Sequence, residues 1–175
     1  MKVLMIISKK DFRDEEFNEP HEVFEANSAV VDVASTEKGD CIGKFGTQAV
    51  ADRSLEQVDV EDYFAIVVVG GPGSKSLVGN KKLEEILKIA NDRRIVIGAI
   101  CYAPVILAKA GLLESKRSTV WNKDGQQQKI IEDAGATFVP EPVVVDGLLV
   151  TANGPEVATK FAEKVIQVAD CEECW

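Results

Sequence analysis

Ile95-Val96-Ile97-Gly98-Ala99-Ile100-Cys101-Tyr102-Ala103-Pro104 is the stretch whose reading decides the fold. Ile95 to Ile100 is apolar throughout, as expected of a strand covered on both faces. Small Ala103 and helix-opening Pro104 follow at once, and Ala103 to Ala110 reads as a short helix closed by Gly111. A buried strand that becomes a helix within about two residues is the layout of a nucleophile elbow. Such a turn is strained and lifts one side chain, here Cys101, above the sheet. The helix then points its positive end at the sulfur, which favours thiolate over thiol.

Working outward, strands and helices alternate. Lys2 to Ile7, Val30 to Ala34 and Phe64 to Val69 read as strands, and Gly39 to Leu55 as one or two short ones. Glu15 to Asn27 has helical character, with Pro20 to be accommodated near its first turns. Leu83, Ile86, Leu87 and Ala90 repeat at helical spacing. Gln126 to Ala134 is a helix closed by Gly135. Val143 to Val150 is a hairpin, because Asp146-Gly147 supplies the positive φ angles of a type I′ turn. Pro155 opens a last helix with Val157, Phe161 and Val165 on its inner face. This alternation predicts one α/β domain over 1–175, a three-layer sandwich with a mostly parallel sheet and helices on both faces.

Composition narrows the function. The chain has 46% hydrophobic and 28% charged residues, ordinary for a globular protein. Its net charge of -9 would repel phosphate backbones and anionic membranes, which argues against nucleic acid and lipid as partners. The apolar start, Met1 to Ile7, is too short for a signal peptide and fits a buried first strand, so a cytoplasmic location is expected.

In an open α/β sheet, sites form at the carboxyl ends of the strands. Three such ends carry unusual residues: Asp11-Phe12-Arg13-Asp14-Glu15-Glu16, Gly70-Gly71-Pro72-Gly73, and Cys101-Tyr102. Gly70 and Gly71 lack Cβ atoms, so their backbone can approach a substrate and aim an N–H at a developing oxyanion, with the Tyr102 N–H as a second donor. A carboxylate beside a thiolate raises the thiol pKa, whereas a protonated carboxyl donates to sulfur and stabilises the thiolate. Spacing does not choose among Asp14, Glu15 and Glu16 for that part.

Ala99-Ile100-Cys101-Tyr102-Ala103-Pro104 resembles the elbow of the DJ-1/PfpI superfamily, and Phe12 to Pro20 resembles its first-loop pattern, Phe-X-Asp-X-Glu followed by Pro. Gly43-Lys44-Phe45-Gly46, Val69-Gly70-Gly71, Val143 to Gly147 and Gly154-Pro155 fall in the same order, closest to the PfpI intracellular protease branch. The resemblance implies a flavodoxin-like sheet of the kind found in class I glutamine amidotransferases. It implies Cys101 as nucleophile and Glu16 as the carboxyl that hydrogen-bonds it. Gly71 and Tyr102 amides would form the oxyanion hole, and Gly70 and Trp121 would border the pocket. It also implies a homodimer or hexamer; no metal or cofactor is expected. Family activities include peptide hydrolysis, glyoxalase chemistry, removal of early glycation adducts and redox sensing through the cysteine.

One position departs from that pattern. Protease-like members carry His directly after the elbow cysteine, where this chain has Tyr102. The DJ-1-like alternative, a His about twenty residues downstream, is also missing from Ser118 to Lys123. The single histidine, His21, follows Pro20 on the first helix. A phenol is poorly matched to deliver a proton to a leaving amine at neutral pH. The expectation is therefore chemistry on small electrophiles (aldehydes, glycation adducts) or weak peptide hydrolysis, with a non-catalytic redox or stress sensor as the alternative. Cys171-Glu172-Glu173-Cys174 has C-x-x-C spacing but no partner ligands nearby, and Cys41 is expected in a loop.

Overall fold

The computed structural model describes residues 1–171. β1 (Lys2–Ile6) sends Val3 and Met5 to one face and Leu4 and Ile6 to the other, all fully buried. That period of two, with both faces apolar, marks a central strand of a parallel sheet. Its parallel neighbours are β3 (Val30–Ser35) and β7 (Ala65–Val68), whose four residues are all buried. Next to β7 lies β8 (Val96–Ile100), then β12 (Leu149–Ala152), also parallel. The edges are the short β6 (Arg53–Ser54) beside β3 and β11 (Val143–Asp146), which pairs antiparallel with β12 through the Asp146-Gly147 turn. The full order is β11-β12-β8-β7-β1-β3-β6.

Helices cover both faces. α1 (Asp14–Ala26) and α5 (Ala158–Ala169) pack Phe17, Phe24, Phe161 and Val165 onto Val3 and Met5. α2 (Lys81–Asp92), α3 (Pro104–Lys109) and α4 (Gln126–Asp133) bury Leu83, Leu87, Ile106 and Ile131 against the Leu4 and Ile6 side. Two apolar cores separated by one sheet make the three-layer α/β sandwich that the alternation predicts. From β1 the chain steps to β3 on one side and later to β7 on the other. The carboxyl ends of β1 and β7 therefore flank a switch point, where open α/β sheets place their ligands.

Several local expectations need correction. Gly39 to Leu55 holds three strands: β4 (Gly39–Gly43), β5 (Gln48–Ala51) and β6. β4 and β5 form a hairpin joined by β2 (Lys10–Phe12) in a small separate sheet. Cys41 belongs to β4 and is buried, with its sulfur 3.5 Å from the Gly39 carbonyl. β9 (Arg117–Ser118) and β10 (Thr137–Phe138) form a parallel pair too short to leave a periodic signal. Phe64 lies outside β7 and is 48% exposed. Pro155 opens a single 3-10 turn, Pro155–Val157, rather than α5 itself; Val157 caps α5 and, half-buried, packs against the same core as Phe161 and Val165. Pro20 sits within α1, buried, and cannot donate to the Glu16 carbonyl four residues back.

Candidate active site

Cys101 stands at the end of β8 with φ of +63°, a left-handed conformation that costs a non-glycine residue of order 1–3 kcal/mol. Its neighbours hold it there. The Cys101 N–H donates to the Ala152 carbonyl at the end of β12 (2.8 Å), and its carbonyl accepts from the Trp121 N–H (2.9 Å). The Ala103 N–H turns back onto the Ile100 carbonyl (3.0 Å), and Pro104 starts α3. The elbow read from the sequence is thus a strained turn braced from both sides.

The first-turn acids of α1 separate by environment. Glu15 pairs with Arg13 at 2.7 and 3.1 Å near the surface. Asp14 accepts from the Phe45 and Thr47 N–H groups, both at 2.8 Å, and so ties the β4–β5 hairpin to the start of α1. Burial pushes its carboxyl up, but these donors win and hold it below the usual range. Glu16 is fully buried, and its Oε2 accepts from the Gly70 N–H at 3.0 Å. The Gly70 carbonyl in turn accepts from the Arg13 N–H (3.1 Å), so one glycine laces the first loop to the loop after β7. It must be glycine. A Cβ there would lie 2.5 Å from the Ile100 carbonyl, 2.6 Å from Glu16 Oε2 and 2.7 Å from Cys101 Cβ. Gly71, with φ of +100°, would drive a Cβ into the Arg13 amide.

These loops bring three polar groups to one sulfur. The Glu16 carboxyl and the Gly71 and Tyr102 N–H groups all lie close enough to the Cys101 sulfur to shift its ionisation, and Glu16 Oε1 is buried with no other polar group to satisfy it. Burial pushes the Cys101 thiol up, an ionised Glu16 pushes it further through charge and hydrogen bond, and together these outweigh the two amides that pull it down, so beside an ionised Glu16 the thiol is held above its ordinary value. Glu16 does not stay ionised. Burial, only partly offset by hydrogen bonds from Cys101 and Gly70, pushes its carboxyl up to about 8. At neutral pH it keeps its proton, its charge no longer opposes the thiolate, and its O–H becomes a third donor to sulfur. The pair then titrates as a unit, with burial set against three hydrogen bonds.

Above Cys101 lies a cavity of about 220 Å³, walled by Pro72, Tyr102 and Trp121 and lined also by Arg13, Glu16, Gly71 and Pro155. Lys44, Lys75, Lys123 and Glu156 complete the lining. Of the residues expected here, Cys101, Glu16, Gly71, Tyr102 and Trp121 all meet at this cavity. Gly70 is packed beneath it, between Glu16 and Cys101, rather than in its wall. His21 is elsewhere on α1, against the Phe17 ring and 3.4 Å from the Glu25 carboxylate. The Cys171–Cys174 motif is not placed, because Cys174 lies outside the described residues. Sequence reasoning missed Arg13, the three lysines and Glu156 as lining groups. Arg13 and Glu156 adjoin motifs already noted, and Glu156 follows the end of β12, where the rule about carboxyl ends applies.

The DJ-1/PfpI family model matches residues 1–168. The chain belongs to the DJ-1/PfpI family. A Methanocaldococcus jannaschii protein described as uncharacterized is 44% identical over 170 residues, covering 97% of this chain and 82% of that protein. The protein named deglycase PfpI from Pyrococcus furiosus is 30% identical over 155 residues, covering 89% and 91% of the two chains. Among solved structures, a ThiJ/PfpI domain protein from Brachyspira murdochii superposes with a TM-score of 0.91 at 31% identity, over 95% of each chain. The fold of that neighbour agrees with the sandwich described above. Among the described residues, no helix is long and apolar enough to cross a membrane.

Proposed function

We propose that this DJ-1/PfpI chain is a cysteine-dependent enzyme acting on small electrophiles, aldehydes or glycation-type adducts, in the cytoplasm. The observation that carries the reading is the buried Glu16 carboxyl on the Cys101 sulfur at a strained elbow, with two backbone N–H groups beside it. In the first step the sulfur–carbon bond forms and the C=O π pair moves to oxygen, which the Gly71 and Tyr102 N–H groups stabilise. That oxygen takes the Glu16 proton, and Glu16 is reprotonated from solvent, which received the proton the thiol lost on ionising. The product is a hemithioacetal, and Glu16 ends as it began. The deglycase name of the Pyrococcus furiosus relative supports this substrate class.

Amide hydrolysis fits less well. Burial, then the charge of Asp124, raises the Tyr102 phenol above its ordinary value of 10.0, so it neither accepts nor releases a proton readily at neutral pH. A weak hydrolase remains within the proposal only for substrates whose leaving group needs no protonation. The direct test is consumption of glyoxal by the wild-type chain and by Cys101→Ser. Turnover that disappears in the variant supports the reading; equal rates overturn it.

A second reading, a redox sensor without turnover, is favoured by the placement of His21 away from the cavity. It needs a peroxide: the sulfur bonds to one oxygen, the O–O bond breaks and the other oxygen leaves as water or alcohol, giving sulfenic acid, and a second peroxide takes this to sulfinic acid. Preferential oxidation of Cys101 over Cys41 and Cys171 at low peroxide, with no aldehyde turnover, would select it. The homodimer or hexamer implied by the family belongs to the same proposal. It is supported by Ile42, Phe45 and Val50, which lie 45%, 64% and 58% exposed on the β4–β5 hairpin.

A further inference from the structure

The lining of the Cys101 cavity inverts the charge of the molecule. The whole chain has 20 Lys and Arg against 29 Asp and Glu. The cavity is lined by Arg13, Lys44, Lys75 and Lys123 against only Glu16 and Glu156. Glu16 is neutral at pH 7, because burial lifts its carboxyl to about 8. Arg13 is committed to Glu15. The three lysines come from three separate segments: the turn after β4, the 3-10 turn Pro72–Leu77, and the loop after β9. None of the three makes an ion pair with another described residue. Lys44 lies 5.6 Å from the Phe45 ring centre and Lys75 lies 5.4 Å from that of Tyr102. Like charges gathered at one opening repel unless an anion enters between them. A concave positive opening on an acidic protein also focuses anions toward itself.

We propose that the cavity selects small electrophiles that carry a carboxylate or phosphate, with the carbonyl carbon at the Cys101 sulfur and the anion held by Lys44, Lys75 and Lys123. The inference rests on Cys101 being the nucleophile and names the substrate class. At about 220 Å³ the cavity is below the range for drug-sized ligands, so a compound of few heavy atoms is the right scale. Pro72, Tyr102 and Trp121 wall off its uncharged part.

Two alkylating reagents of equal size test this. Iodoacetate and iodoacetamide form the same sulfur–carbon bond with loss of iodide, and only the first is an anion. The ratio of their rates at Cys101, located by peptide mass, cancels any change in thiolate fraction. In the native chain that ratio is expected to be about tenfold above its value in the unfolded chain, and to fall as salt rises. Lys44→Gln, Lys75→Gln and Lys123→Gln combined should return it to the unfolded value, and each alone should lower it in part. A native ratio equal to the unfolded one, with iodoacetamide still modifying Cys101, overturns the inference and leaves the nucleophile intact. No modification of native Cys101 by either reagent overturns both. A raised ratio that survives the triple variant overturns the assignment to the lysines. Protection against iodoacetamide separates the anions: glyoxylate reports a carboxylate and glyceraldehyde 3-phosphate a phosphate, either one supporting the inference. Protection by neutral glyceraldehyde at equal or lower concentration contradicts it.

Discussion

Glu16 and Cys101 are each acids, and the environment of each depends on the charge of the other. Glu16→Gln separates the two jobs proposed for the carboxyl. The amide keeps the size and a donor to sulfur, but cannot pass a proton. Alkylation of Cys101 should stay within a few-fold of wild type, while kcat for an aldehyde falls by about 10² or more with little change in KM. Loss of alkylation in step with kcat would show that Glu16 acts only on thiol ionisation. The nucleophile was legible because an apolar strand, a small residue and a proline surround Cys101. The choice of Glu16 over Asp14 and Glu15 was not legible from spacing, since all three occupy one helical turn. Partners decide it: Asp14 is buried too but accepts from the Phe45 and Thr47 amides, whereas Glu16 meets the Gly70 amide after β7 and Cys101 after β8, far away in the chain.

Elements hold the site through close approaches rather than through large side chains. Gly70→Ala would force a methyl between the Ile100 carbonyl, Glu16 and Cys101, and should cost about 1–3 kcal/mol, read as a lower denaturation midpoint. Gly98→Ala tests β8 itself, three residues before Cys101, where the strand meets α5. Its Cβ would lie 2.9 Å from the Phe161 ring, so a similar loss is expected with the cavity geometry retained. Asp14→Ala removes the acceptor of two N–H groups and should cost about 1–3 kcal/mol, with the Lys44 turn loosened in hydrogen exchange. The Asp14 carboxyl is held below its ordinary value of 3.8 when folded. Its contribution is therefore complete above that value and lost as pH falls through the folded one. The long strands and amphipathic α2 were readable because they keep one period over several residues. β2, β6, β9 and β10 have two or three residues each and cannot show a period. Cys41 was misplaced in a loop because Gly39 and Gly43, which bound β4, look like turn residues in sequence.

For the whole molecule, the strand order puts the first loop, the Gly70-Gly71 turn and the elbow at one switch point. The lysines at that opening were invisible in sequence, because nothing in their spacing marks residues 44, 75 and 123 as neighbours. The raised carboxyl also sets a global pH trend. Between its ordinary value of 4.5 and its folded value of about 8, Glu16 binds a proton in the folded chain and not in the unfolded one. Its contribution to stability is therefore fully present below 4.5 and fades as pH rises toward about 8, by at most ~1.4 kcal/mol per pH unit. Glu16→Gln should flatten that part of the stability profile in urea melts from pH 5 to 8; an unchanged slope would contradict a protonated Glu16. The central claim, a thiolate at Cys101 sustained by three donors against burial, is tested most directly by the rate of iodoacetamide modification against pH, with the modified residue located by peptide mass. Cys101 is expected to react before Cys41 and Cys171, with an apparent pKa below the ~8.5 of a free thiol once Glu16 is protonated. Cys101 that stays inert until the chain unfolds would contradict it, and the enzymatic and redox readings would fall together.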